Sequence, residues 1–377
     1  MRITGAVLES TGSERPFASS RPLTIGELEL DPPGDHEVLI RIEAAGVCHS
    51  DLSVVDGNRV RPTPMLLGHE AAGIVEQVGD DVTDLDVGQR VVTVFLPRCE
   101  RCAACRTGGR LPCTAGSAAN EAGQLLGGGR RLHRDRAPVH HHLGVSGFAT
   151  HAVLHRASVV PVDDDVPPEV AAVLGCAVLT GGGAVLNAGR PGPDDDVVVV
   201  GLGGVGMAAL LVALSITSTG SGTVIGVDAN PGKLSRAREL GAGAAWSPDE
   251  VTGRGIAAPI VIEAAGHPRA FETALSATAV GGTLVTVGLP SPDARASIAP
   301  LGITAGARTI IGSYLGSAVP ARDIPAYTAM WREGRLPVEE LVSSTIALGD
   351  LNAAMDELAD GRAVRQIIRF DAPPPVT

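Results

Sequence analysis

Residues 197–228, VVVVGLGGVGMAALLVALSITSTGSGTVIGVD, constrain the fold more than any other stretch. Four consecutive valines predict a strand buried on both faces. The glycines then follow in the order a phosphate-binding turn needs. Gly201 permits the tight turn, Gly203 lets a pyrophosphate approach the backbone, and Gly206 lets helix and strand pack closely. Gly204 and Val205 complete a loop whose amides open the apolar helix MAALLVALSI, and that helix N-terminus faces phosphate with partial positive charge. A second strand, TVIGVD, ends at Asp228, twenty-two residues after Gly206. A carboxylate there accepts hydrogen bonds from ribose hydroxyls and repels a 2′-phosphate, which favours NAD over NADP. An Asp opening the turn DANPG would also occupy this position, and one side chain can serve both roles.

Further strand-like runs, PIVIEAAG and GGTLVTVGLP, continue the alternation, so the middle of the chain reads as a Rossmann unit with a doubly wound parallel sheet. The first 160 or so residues differ. Short Val/Ile-rich runs such as EVLIRIEAAG, AAGIVEQVG and QRVVTVF alternate with Gly, Pro and Asp turns, the pattern of a compact, mostly antiparallel β domain. Residues 114–145 are polar, Gly/Arg-rich and weakly periodic, and read as a long excursion loop ending in VHHHLG. Its three histidines, 140–142, are expected at a surface or interface. The stretch after about residue 315, with DLNAAMDELADG and VRQIIRF, is expected to return to the first domain. The expected division is residues 1–177 catalytic, 178–314 cofactor-binding and 315–377 catalytic again.

The six cysteines are distributed unevenly. Cys99, Cys102, Cys105 and Cys113 stand in PRCERCAACRTGGRLPC, a segment rich in turn formers and unable to build a core of its own. Four thiolates around one tetrahedral zinc would hold it together. Two disulfides would need an oxidising compartment, and neighbouring pairs two residues apart would be strained. The remaining two, Cys48 in AAGVCHSDLS and Cys176 in AAVLGCAVLTGGG, flank His69 in LLGHEAAG. Two thiolates and an imidazole from three segments can make a second zinc site whose fourth position stays open, as catalysis requires. Each taken alone reads as a buried small residue or a satisfied histidine.

Net charge is −12, against nucleic acid or an anionic membrane surface as the main partner. MRITGAVLES lacks the apolar run of a signal peptide, and no apolar stretch is expected to span a membrane, so a cytoplasmic location follows as an expectation. Only nine residues are aromatic, which points to a roomy substrate pocket with mainly aliphatic walls. Among thirty basic residues, Lys233 is the single lysine.

GVCHSDL, GHEAAGIVEQVG, the four-cysteine lobe, GCAVLTG, VGLGGVG with VDANPGK, and GRAVRQIIRF occur in this order along the chain. In them the sequence resembles the zinc-containing alcohol dehydrogenases of the medium-chain dehydrogenase/reductase family over essentially its whole length. The resemblance implies a GroES-like, mostly β catalytic domain joined to the Rossmann domain, NAD as cofactor, and two zinc ions per chain, one catalytic and one structural. It implies that Cys48, His69 and Cys176 hold the catalytic zinc and that Glu70 stands behind it. Asp51 would orient His69 through its other ring nitrogen. Ser50 would bond the alcohol oxygen and pass on its proton, Thr180 would lie close to the nicotinamide, and Phe95 would line the substrate pocket. His49 and Arg365 would touch the pyrophosphate, and Lys233 the adenosine ribose beside Asp228. The long segment before HHHLG resembles the longer, dimeric members.

Two positions depart from that pattern. Relatives with a full proton relay carry a histidine three residues beyond the relay hydroxyl, where this chain has Ser53, which has no pKa suited to a terminal base. The glutathione-dependent branch, which oxidises thiol adducts of formaldehyde, is expected to carry an arginine four residues past the last lobe cysteine, where this chain has Ser117. Reversible oxidation of an alcohol by NAD is therefore the leading expectation. A thiol-adduct dehydrogenase and a catalytically silent NAD-binding protein are its alternatives.

Overall fold

The computed structural model describes residues 1–370. The organising strand of the first half is Glu37–Val47, buried along nearly its whole length because it has partners on both edges. Glu70–Val78 runs antiparallel along one edge, and His151–His155 and Gln366–Arg369 share the other. Arg90–Thr93, Val159–Val162 and Ser344–Ile346 extend this sheet. Beside it, Arg2–Leu8, Leu23–Leu30, Leu132–Arg134, Ala137–His141 and Met65–Leu66 close a small barrel. The last strand among the described residues, Gln366–Arg369, therefore pairs with the first half, next to Cys48.

The expected excursion loop at 114–145 is instead built into this framework. It forms a helix, Thr114–Glu121, and the hairpin Leu132–Arg134/Ala137–His141. The helix is short and rich in small residues, and the strands are three and five residues long, too brief to show a period. The hairpin turn places Asp135 and Arg136 at φ 51° and 65°, positions usually marked by Asn-Gly, so the usual turn signal was missing.

The second half is a six-stranded parallel sheet ordered Ala244–Trp246, Val224–Val227, Val197–Val200, Ala258–Glu263, Thr278–Thr286, Thr309–Gly312. Numbered along the chain that is 3-2-1-4-5-6, the dinucleotide-binding order, with its switch point beside Val197–Val200. All four valines are buried, and Gly204–Thr217 packs against them. Gly206 lies against the carbonyl oxygen of Gly201, where any Cβ would collide, so this close packing requires glycine.

One buried helical run, Pro168–Gly189, joins the halves. By length and composition it could cross a membrane, contrary to expectation: 22 residues with mean hydropathy 1.8. Yet 89% of its most apolar window is buried within the fold, the signature of a core helix. Its course is interrupted by π turns at Leu174–Val178 and Ala184–Gly189, a local widening common at functional sites.

Candidate active site

Sheet register assembles the site. Gly46 pairs with Glu70 and Val47 with Gln366, which brings Cys48, His69 and Arg365 to one end of three adjacent strands. Cys176 arrives from the first π turn, where Gly175 abuts the Thr93 carbonyl so closely that a methyl would not fit. The ligand atoms of Cys48, His69, Glu70 and Cys176 all lie within 4.8 Å of one another, and every one of these residues is buried. Cys176 Sγ is 3.5 Å from His69 Nε2. An edge of roughly 3.6 Å is expected for a sulfur and a nitrogen on one tetrahedral zinc. Both Glu70 carboxylate oxygens are buried without a hydrogen bond; the Arg365 guanidinium stands 3.3 Å from Oε1, and Oε2 is left without a partner, free to face a further cation. The residues present thus fit a zinc ion with three protein ligands.

The charges support the same conclusion. A hydrogen bond from the Cys176 thiol, aided by the charges of Arg365 and His69, holds Cys48 well below the ordinary thiol range despite burial, and Cys176 is displaced upward. Burial pushes Glu70 up to about 7 against the pull of Arg365. Burial also opposes charge on Asp51, but His69 and His142 reverse this and bring it down to about 2. Asp51 Oδ1 is 3.0 Å from His69 Nδ1 and accepts from the Gly68 amide at 3.2 Å. Its other oxygen accepts from Cys48 N at 3.1 Å, at the start of the helix His49–Val55. One carboxylate thereby fixes the tautomer of His69 and the backbone of Cys48.

The four-cysteine lobe forms a second cluster, with ligand sulfurs within 4.8 Å of one another. Cys102 Sγ stands 3.5 Å from Cys105 Sγ and 4.0 Å from Cys113 Sγ, bracketing the roughly 3.8 Å edge of a zinc–thiolate tetrahedron. Amides of Cys105 and Thr114 bring Cys102 down to about 6. Cys99 N and Gly116 N each donate to Cys113 Sγ at 3.3 Å. A dense set of N–H donors around sulfur is what thiolates need, and all six cysteines are unpaired by disulfides.

A cleft of ≈ 290 Å³ runs from the Cys48/Cys176 pair to Asp228 and Lys233. Its walls carry His49, Ser50, Phe95 and Thr180 at one end, and Gly201, Gly203, Gly204, Val205 and Arg365 along the middle. The space over Gly203 is open to 4 Å, a cradle that a Cβ would fill. Thr180 Oγ1 and Arg365 Nε are buried without partners. Asp228 stands just past the end of its strand, and its Oδ2 accepts from Leu202 N at 2.7 Å, bracing the glycine loop. Lys233 Nζ is 3.9 Å from the same oxygen. An open cradle at a helix N-terminus, orphaned donors and a terminal carboxylate fit a dinucleotide. Every residue expected at the site from sequence is therefore at the cleft or directly behind it, apart from the four lobe cysteines.

Other expectations are corrected. His141 and His142 are buried, not at a surface. His142 Nδ1 lies 3.1 Å from Asp51 Oδ1, off the hydrogen-bonding direction, and its ring meets His69 edge-on with centroids 5.5 Å apart. Ser50 also borders a side recess of ≈ 20 Å³, lined by Phe95, Tyr314, His69, His142, Arg59 and Arg61 together with Val54, Leu143 and Leu289. Phe95 stands edge-on to both His69 and Tyr314, and its carbonyl accepts from Asn120 Nδ2 at 2.7 Å. Two of the few aromatic residues converge there from distant segments, which composition does not reveal. Tyr314, Arg59 and Arg61 had no local signal, whereas the run of three histidines was a signal read wrongly.

Fold and site together define a metal-binding dinucleotide dehydrogenase. Residues 34–164 match the family model described as the alcohol dehydrogenase GroES-like domain, and residues 204–332 match the zinc-binding dehydrogenase model. A zinc-binding-domain alcohol dehydrogenase protein from Burkholderia ambifaria is similar at 30% identity, with 99% of this chain and 100% of that one covered and a TM-score of 0.89. Benzyl alcohol dehydrogenase from Acinetobacter calcoaceticus is similar at 30% identity over 98% and 100%, with a TM-score of 0.88. A thermostable alcohol dehydrogenase from Pyrobaculum aerophilum, solved with cobalt and zinc, is 25% identical over 98% and 100%, with a TM-score of 0.79. The chain belongs to the zinc-dependent alcohol dehydrogenases of the medium-chain dehydrogenase/reductase family.

Proposed function

We propose that the protein transfers a hydride reversibly between NAD and a primary or secondary alcohol, giving an aldehyde or ketone. The convergence of Cys48, His69 and Cys176 at the nicotinamide end of the dinucleotide cleft carries this reading. Zinc held there supplies Lewis acidity toward the alcohol or carbonyl oxygen, and NAD supplies the hydride acceptor. The rest of the work belongs to the chain. Ser50, at the junction of cleft and recess, binds the hydroxyl and receives its proton. Asp51 keeps His69 in one tautomer. Thr180, with its free buried hydroxyl, orients the nicotinamide, and Phe95 limits where the carbinol carbon can sit. Glycines 201, 203, 204 and 206, Val205, His49 and Arg365 seat the pyrophosphate, and Asp228 with Lys233 holds the ribose.

The four-cysteine lobe holds a second, structural zinc, giving two per chain. Residues 1–177 and the described part of 315–377 form one catalytic unit around 178–314, a division supported by the membership of Gln366–Arg369 in the first sheet. A cytoplasmic homodimer is the assembly we assign, supported by six unpaired thiols and by the long segment before the histidine run. A thiol adduct of a peptide is disfavoured by Ser117. A silent protein is disfavoured because it needs neither an open metal site nor Ser50. Metal analysis combined with a panel of aliphatic, benzylic and cyclic alcohols, each with NAD and with NADP, tests the proposal. Zinc-dependent NADH formation supports it; a zinc-loaded protein that reduces neither cofactor with any alcohol overturns it.

A further inference from the structure

We infer that the alcohol taken by this site carries an oxyanion, a carboxylate in the first instance, held by Arg59 and Arg61 a few bonds from the carbon that gives up hydride. The inference rests on the dehydrogenase reading above and names its substrate class. Arg59 lines both the main cleft and the side recess, and Arg61 lines the recess, in company with Ser50, His69 and Tyr314. Both guanidiniums are partly shielded from solvent, and Arg61 Nε is buried with no hydrogen-bond partner. Some half-buried arginines of this acidic chain have carboxylate partners, Arg90 with Glu43 at 2.9 Å and Arg131 with Glu37 at 2.7 Å, whereas Arg98, Arg130 and Arg308 have none among the described residues. Among the described residues neither Arg59 nor Arg61 has an ion-pair partner. Burial opposes the charge of Arg59, and the neighbouring Arg61 charge adds to that cost.

Two like charges kept together in a shielded recess without a counter-ion constitute an incomplete anion site. The Arg365 guanidinium packs on Gly204 of the glycine loop, where a pyrophosphate would be served without Arg59 and Arg61. Ser50 and Arg59 line both the main cleft and the recess, so hydroxyl and oxyanion belong to one small molecule. In the reaction the carbinol C–H bond breaks with its electron pair passing to nicotinamide. The C=O bond forms as the hydroxyl proton leaves toward Ser50, and the carboxylate is unchanged.

The test compares 3-hydroxypropionate, 4-hydroxybutyrate and 4-(hydroxymethyl)benzoate with their methyl esters, with 3-hydroxypropyl phosphate as a separate arm, all with the zinc-loaded enzyme and NAD. At least one acid is expected to exceed its ester in kcat/KM by about tenfold, as charge-assisted hydrogen bonds predict. High salt should erode that advantage. Arg59→Gln and Arg61→Gln should each lower the acid-to-ester ratio about fivefold or more, chiefly through KM, with Arg61→Lys restoring part of it. A preference for the phosphate arm over the carboxylates identifies the oxyanion as a phosphate ester. Esters equal to or better than every anionic substrate, or ratios unmoved in both Gln variants, overturn the inference. If a variant does not fold, the wild-type acid/ester ratio and its salt dependence decide alone. Turnover of neutral alcohols without anion preference removes this inference and leaves the dehydrogenase reading intact; absence of turnover with every alcohol removes both.

Discussion

Arg365 Nη2 lies 3.3 Å from Glu70 Oε1, and both side chains are almost wholly sealed from solvent. Arg365 Nη1 also donates to the Val47 carbonyl at 3.0 Å, beside Cys48, and its guanidinium packs on Gly204 of the phosphate-binding loop. A single cation thus borders the metal cluster on one side and the dinucleotide cradle on the other. Burial opposes its charge, but facing Cys48, Glu70 and Cys176 it is held firmly protonated.

Arg365→Met should therefore damage both functions at once. Removing the guanidinium takes away the partner of the buried Glu70 and the support of the Val47 carbonyl, which destabilises the fold. NADH affinity, read by fluorescence titration, should fall about tenfold or more, and the thermal midpoint should drop with it. A variant that binds NADH as tightly as wild type would show that Arg365 is structural only.

Metal content separates the two cysteine clusters. The purified protein should carry two zinc ions per chain. Cys176→Ala should keep about one, remain folded and lose activity. Cys105→Ala should impair folding or assembly, because its lobe has no core of its own. Retention of both zincs in Cys176→Ala would contradict the assignment of Cys176 as a ligand.

The proposed preference for NAD rests on the charge of Asp228. Because its Oδ2 also braces Leu202 N, replacement by glycine would loosen the loop as well as remove the carboxylate. Asp228→Asn keeps an acceptor and isolates the charge. Wild type should favour NAD strongly in kcat/KM, and Asp228→Asn should narrow that preference by about tenfold. Equal use of both cofactors by wild type would contradict this role.

Most of the framework was legible in the sequence because its signals are local. The valine run, the glycine spacing and Asp228 specify a strand, a turn and a strand end within one continuous segment. The cysteines were legible through chemistry, since thiols in that number and spacing have few uses. The recess was not. Arg59, Tyr314 and His142 come from separate elements, and only strand register and helix packing bring them around Ser50. Segment 114–145 was misjudged because its strands are too short to show alternation and its turn lacks glycine.

Ser53 donates to the His49 carbonyl at 2.8 Å and lines the cleft. Imidazole there, with an ordinary pKa near 6.5, can accept a proton at neutral pH where a hydroxyl cannot. Ser53→His should raise single-turnover hydride transfer near pH 7 and add a titration near 6.5 that favours the higher-pH side. Ser50→Ala should lose most activity in either background. An unchanged pH profile in Ser53→His would mean that protons leave by another path.

Hydride transfer at the Cys48–His69–Cys176 site is most directly tested by following the hydrogen itself. Benzyl alcohol deuterated at both carbinol positions would be incubated with the zinc-loaded protein and NAD, and the NADH analysed by mass spectrometry and NMR. We predict one deuterium at the nicotinamide C4 of each NADH formed, on a single face, with the signal lost in Cys176→Ala and after zinc removal. Zinc-loaded protein that binds NAD yet forms no deuterated NADH from this or any other carbinol-deuterated alcohol would contradict the account.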